Sequence, residues 1–432
     1  MPTFGFKASL VMGLVFSVFS APVQADVEAV AVIDISAPRA NWLSQMMIDA
    51  ARIGATKTVR VCLALGAAKD AICKRRYCDY SFENALCVAA CNGHKETVQA
   101  LIDAGADVNA KIDDVQSTVL HTMARTVLHR VYCPKAQAYS FASVTEIEKY
   151  REIVQMLLDV GANIDARDKD GSTALIHSCY YAYGLLDRQS VAKVLLAAGA
   201  DVNIKNNDDK SVLAYLVAVN PSKIYCGETA VTLQTVCNDL FQAFIDAGAD
   251  VNQTICHGKE TLLTLAVKKD APVEVITALV KAGAALNATD SNGDTPLNLA
   301  TANYATEIMQ VLLDAQVDAN VANKLGNTPL MTAYTVYPVY CYGKTQPKPE
   351  VLARMLLAGG ASVHVQNELG HTALMCAAHR FSMINPQDCD MVAAFRVLMD
   401  AGSDVYCRGK DGQSAMDLID KLLTIKRIML FA

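Results

Sequence analysis

Residues 282–300 read A-G-A-A-L-N-A-T-D-S-N-G-D-T-P-L-N-L-A, and residues 314–330 read D-A-Q-V-D-A-N-V-A-N-K-L-G-N-T-P-L. Thr295-Pro296-Leu297 thus returns as Thr328-Pro329-Leu330, a period of 33 residues. Each part of the unit has a local physical reason. The Thr295 hydroxyl suits a helix N-cap, and Pro296 fills the first helical position, where a missing N–H costs nothing. Leu297, Leu299 and Ala300 are apolar or small, as a short helix pressed between neighbours requires. Ile308, Val311 and Leu312 recur at three- and four-residue spacing and predict one apolar stripe on a second helix. Gly283 predicts a left-handed helix stop, and the polar run Asn287–Asp294 predicts a finger that turns the chain back. One such unit cannot bury its apolar face alone, so units must stack.

The helix-opening tetrad recurs at 84–87, 118–121, 173–176, 211–214, 261–264, 295–298, 328–331, 372–375 and 414–417. Glycine turns recur at Gly105, Gly161, Gly199, Gly248, Gly283, Gly360 and Gly402, with Gln316 standing in one glycine place. A-G-A-D-V-N is written at 104–109, 198–203 and 247–252, and N-G-H at 92–94. On this period and these motifs the chain resembles the ankyrin-repeat family over about residues 41–432. The resemblance implies an all-α fold, an ankyrin-repeat solenoid of stacked helix pairs with finger-like hairpin loops. Residues 41–68 read as an N-terminal capping helix pair, 414–432 as a C-terminal one, and 26–40 as an extended lead-in. Only His121 keeps the family's tetrad histidine in register; Cys87, Ile176, Asn298 and Met331 replace it elsewhere.

The departures from the period fall in one place. The tetrad-to-glycine distance is 21 residues from 84 to 105, but 43, 26, 37, 32 and 30 in the units opening at 118, 173, 211, 328 and 372. The distance from a glycine to the next tetrad holds at 12 or 13, except for 18 around Cys73 and Cys78. Additions therefore sit between the first and second helix of a unit, and in a stacked array they gather along one edge. That edge concentrates Tyr132, Tyr180, Tyr181, Tyr183, Tyr225, Tyr337, Tyr340 and Tyr342, many of them beside cysteine. Tyrosine offers large contact area and a hydroxyl at low entropy cost, so these eight residues are the expected partner-binding set. The bland alternative is a lid of rings over lengthened helices. In family members the fingers and the concave helix face are the usual contact surface.

Residues 1–25 have the three parts of a secretory signal peptide: Lys7, an apolar run over 8–20, and Val23-Gln24-Ala25 before Asp26. The run is too short to predict a stable membrane span. The expectation is an exported, periplasmic or secreted chain beginning near Asp26, with no membrane insertion after cleavage. All 14 cysteines follow that point, where an oxidising compartment permits disulfides. Cys226 and Cys237 lie in one insertion and form the main expected pair; Cys341–Cys389 and Cys133–Cys179 are further candidates. Closure of a loop of this size adds about 3 kcal/mol when the geometry is unstrained. Cys62 and Cys376 instead occupy places where helices need small apolar residues, and read as packed thiols.

Chemistry is sparse. Net charge is −6 and pI about 5.8, which does not favour a nucleic-acid binder. Asp168-Lys169-Asp170-Gly171 and Asp290-Ser291-Asn292-Gly293 match part of a calcium loop, but Ala166, His177, Ala288 and Leu299 stand at required ligand places. Phosphate-loop, nucleophile-elbow and H-E-x-x-H patterns do not occur. His121 and His129 share a helix face without making a metal site, and Asn252 and Asn287 open glycosylation sequons. The residues thus predict neither enzyme, metal nor cofactor. The resemblance implies a scaffold that binds another protein non-covalently. The alternative is a small-ligand or glycan site in a tyrosine-lined pocket among the insertions, and an active site on the insert edge is a third reading.

Overall fold

The computed structural model describes residues 39–74, 82–126, 132–133, 138–139, 144–179, 185–218, 228–255, 258–335, 348–383 and 391–421. Their regular structure is helical apart from three two-stranded hairpins, and they fall into two compact units. Unit 1 takes the chain to Ser178 together with Ser190–Ala200; unit 2 takes Cys179–Gln189 and Asp201 onward.

Unit 1 opens with α1 (Arg39–Arg52) and α2 (Thr56–Ala64), the expected first pair, which bury Met47, Ile48 and Ala51 with Val59 and Cys62. Then follow α3 (Ala85–Cys91), α4 (Lys95–Asp103), α5 (Val119–Thr126) and α6 (Val144–Asp159). Next come α7 (Ala174–Cys179) and α8 (Leu185–Ala197). The Asn84 side chain caps α3 by accepting from the Cys87 N–H at 2.8 Å, which satisfies one of the orphan donors at a helix start.

In unit 2, α9 (Val212–Val217) and α10 (Glu228–Asp246) are followed by α11 (Leu262–Lys268) and α12 (Val273–Lys281). Then come α13 (Pro296–Ala302), α14 (Thr306–Asp314), α15 (Pro329–Thr335) and α16 (Pro349–Ala358). The last pair is α17 (Ala373–Met383) and α18 (Met391–Asp400), with a further helix at 415–421. First helices pack on first helices and second on second, as in α13 on α15 and α14 on α16. Thr295 caps α13 with Pro296 in its first turn, as the residues predict.

Two details correct the sequence reading. The buried stripe of α14 is Ile308, Met309 and Leu312, with Val311 at its margin. The turn at Gln316 is not lost. Gln316 adopts φ +59° and its N–H donates to Leu313 O at 2.9 Å, matching Gly283 at φ +85° donating to Val280 O at 3.0 Å.

The insertions leave where expected, between α5 and α6, α7 and α8, α9 and α10, α15 and α16, and α17 and α18. Part of their length is helix. α6 has 16 residues and α10 has 19, against nine in α4, α12 and α14. The longer finger after Gly66 closes through an antiparallel pair, β1 (Cys73–Lys74) with β2 (Phe82–Glu83). Between α5 and α6, β3 (Tyr132–Cys133) pairs with β4 (Ala138–Tyr139). The finger before α11 holds β5 (Thr254–Ile255) against β6 (Glu260–Thr261).

Candidate partner-binding surface

The fingers share one hydrogen-bond pattern that starts from a single Asp or Asn. In unit 1, Asp168 Oδ1 accepts from the N–H groups of Asp170 (3.0 Å) and Ser172 (2.9 Å). In unit 2 the Oδ1 atoms of Asn206, Asp290, Asn323 and Asn367 accept in the same way two and four residues on, at 2.7–3.1 Å. One oxygen of each leading carboxylate that resembled a calcium ligand, Asp168 and Asp290, is therefore committed to its own backbone. Gly171, Gly293, Gly326 and Gly370 take φ between +72° and +79° to finish the turn, and Asp209 does so at +62°.

A second pattern explains the A-G-A-D-V-N motif. Asn109, Asn203, Asn252 and Asn320 donate from Nδ2 to the carbonyls of Gly161, Gly248, Gly283 and Gly360 at 3.0–3.1 Å. Their Oδ1 atoms accept from the N–H groups of Asn163, Asp250, Ala285 and Ser362 at 2.7–2.8 Å. Asn287 makes the second bond, accepting from the Asp318 N–H at 3.1 Å. The side chain that ends one motif thus fixes the next, at a net gain of about 1 kcal/mol per bond. His364 follows at the ladder place after Asn320, and Tyr406 after that.

In unit 2 neighbouring finger tips also bond through backbone. Lys324 N–H donates to Asn292 O (3.1 Å), Glu368 N–H to Leu325 O (3.1 Å) and Lys410 N–H to Leu369 O (2.9 Å). Leu325 and Leu369 sit at the same place on adjacent tips and are 65% and 61% exposed, with Tyr406 at 71%. Backbone bonds fix each leucine in place while its side chain stays in solvent. Sequence reading missed these three residues. The available signal was the N-x-L-G pattern at 323–326 and 367–370, in a finger position that Asn292 keeps polar.

Behind the unit 1 finger lies a buried histidine pair. His121 Nδ1 accepts from the Thr118 N–H at 3.2 Å, capping α5, while its Nε2 lies 3.0 Å from Ser172 O and donates to it. His177 Nε2 donates to Asp168 Oδ2 at 2.7 Å, its ring 5.7 Å from that of His121. Burial raises the Asp168 carboxyl, but the hydrogen bonds from His177 and the Ser172 N–H outweigh it and hold it below the ordinary range. This is scaffolding chemistry: His121 to the Ser172 carbonyl and His177 to Asp168 each join a helix start to a finger.

Comparison with known proteins agrees with this geometry. The profile described as "Ankyrin repeat" matches residues 83–113 and 170–207, and "Ankyrin repeats (3 copies)" matches 263–336. The chain carries ankyrin repeats. It is 24% identical over 251 residues to human Ankyrin repeat and SOCS box protein 6, covering 57% of this chain and 52% of that one. It is 26% identical over 320 residues to human Ankyrin repeat and SOCS box protein 16, covering 72% and 62%. It is also 26% identical over 305 residues to the E3 ubiquitin-protein ligase KEG of Arabidopsis thaliana, covering 63% and 17%. The chain thus spans about half the length of the first of these relatives.

The sequence-predicted tyrosines lie outside the described residues, apart from the backbone of Tyr132 in β3. Cys226, Cys341 and Cys389 also lie outside them. Cys133 is described only as backbone, Cys179 is buried at the end of α7, and Cys237 is a free thiol buried in α10. Burial pushes Cys62 up to about 11, and Cys237 and Cys376 up to about 12. Thiols so far from the thiolate are packing groups rather than nucleophiles, as the sequence suggests for Cys62 and Cys376. Among the described residues no helix is long and apolar enough to cross a membrane.

Proposed function

We propose that this chain is an exported ankyrin-repeat scaffold that binds another protein non-covalently, with the finger tips of unit 2 supplying the apolar part of the contact. The observation that carries this reading is the pair Leu325 and Leu369, held in solvent at the same place on adjacent fingers fixed by hydrogen bonds. Large apolar side chains on a rigid row cost little entropy to dock, and each leucine buried adds roughly 1.5–3 kcal/mol. The insert edge is a second contact surface in this proposal, because insertions leave successive helix pairs at the same place and carry Tyr180, Tyr181, Tyr340 and Tyr342.

The test is crosslinking in the producing cell, with the captured protein identified and its affinity measured. Joint replacement of Leu325 and Leu369 by Ala is expected to weaken binding by about 2–4 kcal/mol, at roughly 1–2 for each contact. The melting temperature should hold, since both side chains are exposed. Unchanged affinity after this change, with a loss after alanine replacement of the four tyrosines, moves the contact to the insert edge. If neither set alters capture, the binding reading fails.

Export rests on the three-part segment at 1–25. Intact-mass measurement of exported protein is expected to place the first residue at or near Asp26. A chain found only inside the cell with Met1 retained refutes it.

A further inference from the structure

His371 stands just before α17 and His379 stands two turns into it. Helical side chains lean toward the N-terminus, and the two imidazoles stack, with centroids 4.8 Å apart and planes 24° apart. Asp411 reaches the same point from the next finger, its Oδ2 3.9 Å from His371 Nε2. One ligand atom from each of the three lies within 4.8 Å of the others. The approach depends on Gly409. A Cβ there would lie 2.9 Å from Asp411 Oδ1, 2.9 Å from His371 Cδ2 and 3.0 Å from Met375 Cε.

We infer that His371, His379 and Asp411 form a three-ligand site for a divalent transition-metal ion of the zinc class. Two imidazoles and one carboxylate are the donor set that zinc, copper, nickel and cobalt accept, whereas calcium and magnesium require oxygen. The His371 backbone is fixed on both sides by Asn367, whose Oδ1 accepts the His371 N–H at 2.9 Å and whose N–H donates to its carbonyl at 3.0 Å. Bonds of about 2.0–2.2 Å bring tetrahedral ligand atoms to roughly 3.4 Å apart, so separations of 3.9 Å to at most 4.8 Å close by roughly 0.5–1.4 Å. Asp411, on an exposed finger, supplies that movement. With three protein ligands, a fourth position stays open to water or to a donor from a bound partner.

The experiment titrates the full chain with Zn2+ by calorimetry and repeats the titration with Co2+ by absorption. His379→Phe keeps a stacked ring and removes a ligand, and Asp411→Asn alters only an exposed group. The expected result is one equivalent of Zn2+ bound by the wild type and affinity at least about tenfold weaker in both variants, with the ion-free melting temperature of Asp411→Asn unchanged. The Co2+ spectrum should show nitrogen and oxygen ligation. Absence of Zn2+ binding, equal affinity in wild type and Asp411→Asn, or an intense thiolate charge-transfer band in the Co2+ spectrum overturns the assignment.

Discussion

Replacing Gly326 with Ala is expected to cost about 3 kcal/mol of stability in unit 2. Gly326 sits at φ +75°, where an L side chain is strained by about 1–2 kcal/mol. The larger part comes from contact. A Cβ there would lie 2.6 Å from Glu368 N, 2.8 Å from Asn367 Cα and 2.9 Å from Asn367 C. These are backbone atoms of the next finger and cannot rotate away. Moving that finger breaks the Glu368-to-Leu325 bond at 3.1 Å and the bond from Asn367 Nδ2 to Asn327 Oδ1 at 2.8 Å. Overpacking of this kind costs about 1–3 kcal/mol. Gly283 is the control, because it has φ +85° but nothing within 4 Å of an added Cβ, and Gly283→Ala should show the strain alone. Gln316→Gly runs the other way and should stabilise by up to about 1 kcal/mol, since Gln316 already holds φ +59°. Urea unfolding of the three variants beside the wild type measures all three. Equal losses at Gly326 and Gly283 would mean that neighbouring fingers do not bear on each other.

What the sequence discloses here is what local hydrogen bonding decides. The tetrads, the glycine stops and the positions of the insertions follow from capping, left-handed φ and helical period, each confined to a few residues. Met309 displaced Val311 from the α14 stripe because the stacking axis, not the spacing, selects the buried face. The extension of α6 is marked in the sequence, since Ser143 precedes its first residue Val144 and Glu146 follows three places on, a capping-box signature that sequence reading missed. The role of the ladder asparagines was hidden for another reason. Asn252 bonds residues more than 30 positions away, and a repeat shows the spacing but not the partner. Leu325 and Leu369 look like core residues in sequence, since exposure is a property of the stack. His371, His379 and Asp411 meet only because adjacent fingers bond at their tips.

Unit 1 is expected to lose about 3 kcal/mol of stability between pH 6.5 and pH 4 through His121 alone. The side chain is 1% exposed, and burial drives its pKa down from 6.5 to about 4, against the opposing hydrogen bond to Ser172. The sign follows from proton uptake. Between those values the unfolded chain binds a proton that the folded chain refuses, so stability is full above pH 6.5 and falls as pH drops through the window. About 2.5 pH units at 1.36 kcal/mol each set the size. Protonation would also abolish the acceptor at Nδ1 that holds the Thr118 N–H at 3.2 Å, uncapping α5. Asp168 acts lower. Its carboxyl is held below the ordinary value of 3.8, so its contribution persists above that value and is lost only as pH falls through the depressed one. The discriminating variant is His121→Asn. Asn298 occupies the same tetrad place in the unit opening at Thr295 and reaches the next finger through Nδ2 to Asn327 O at 3.4 Å. An asparagine at 121 should therefore keep the link to the finger, cost about 1–2 kcal/mol at pH 7 from lost packing and capping, and flatten the slope between pH 6.5 and 4. Chemical denaturation at half-unit pH steps gives both curves, and their difference isolates His121 from every other titrating group. Parallel curves would show that folded His121 takes up a proton as readily as the unfolded chain does, which contradicts the buried donor and acceptor roles its two ring nitrogens take here.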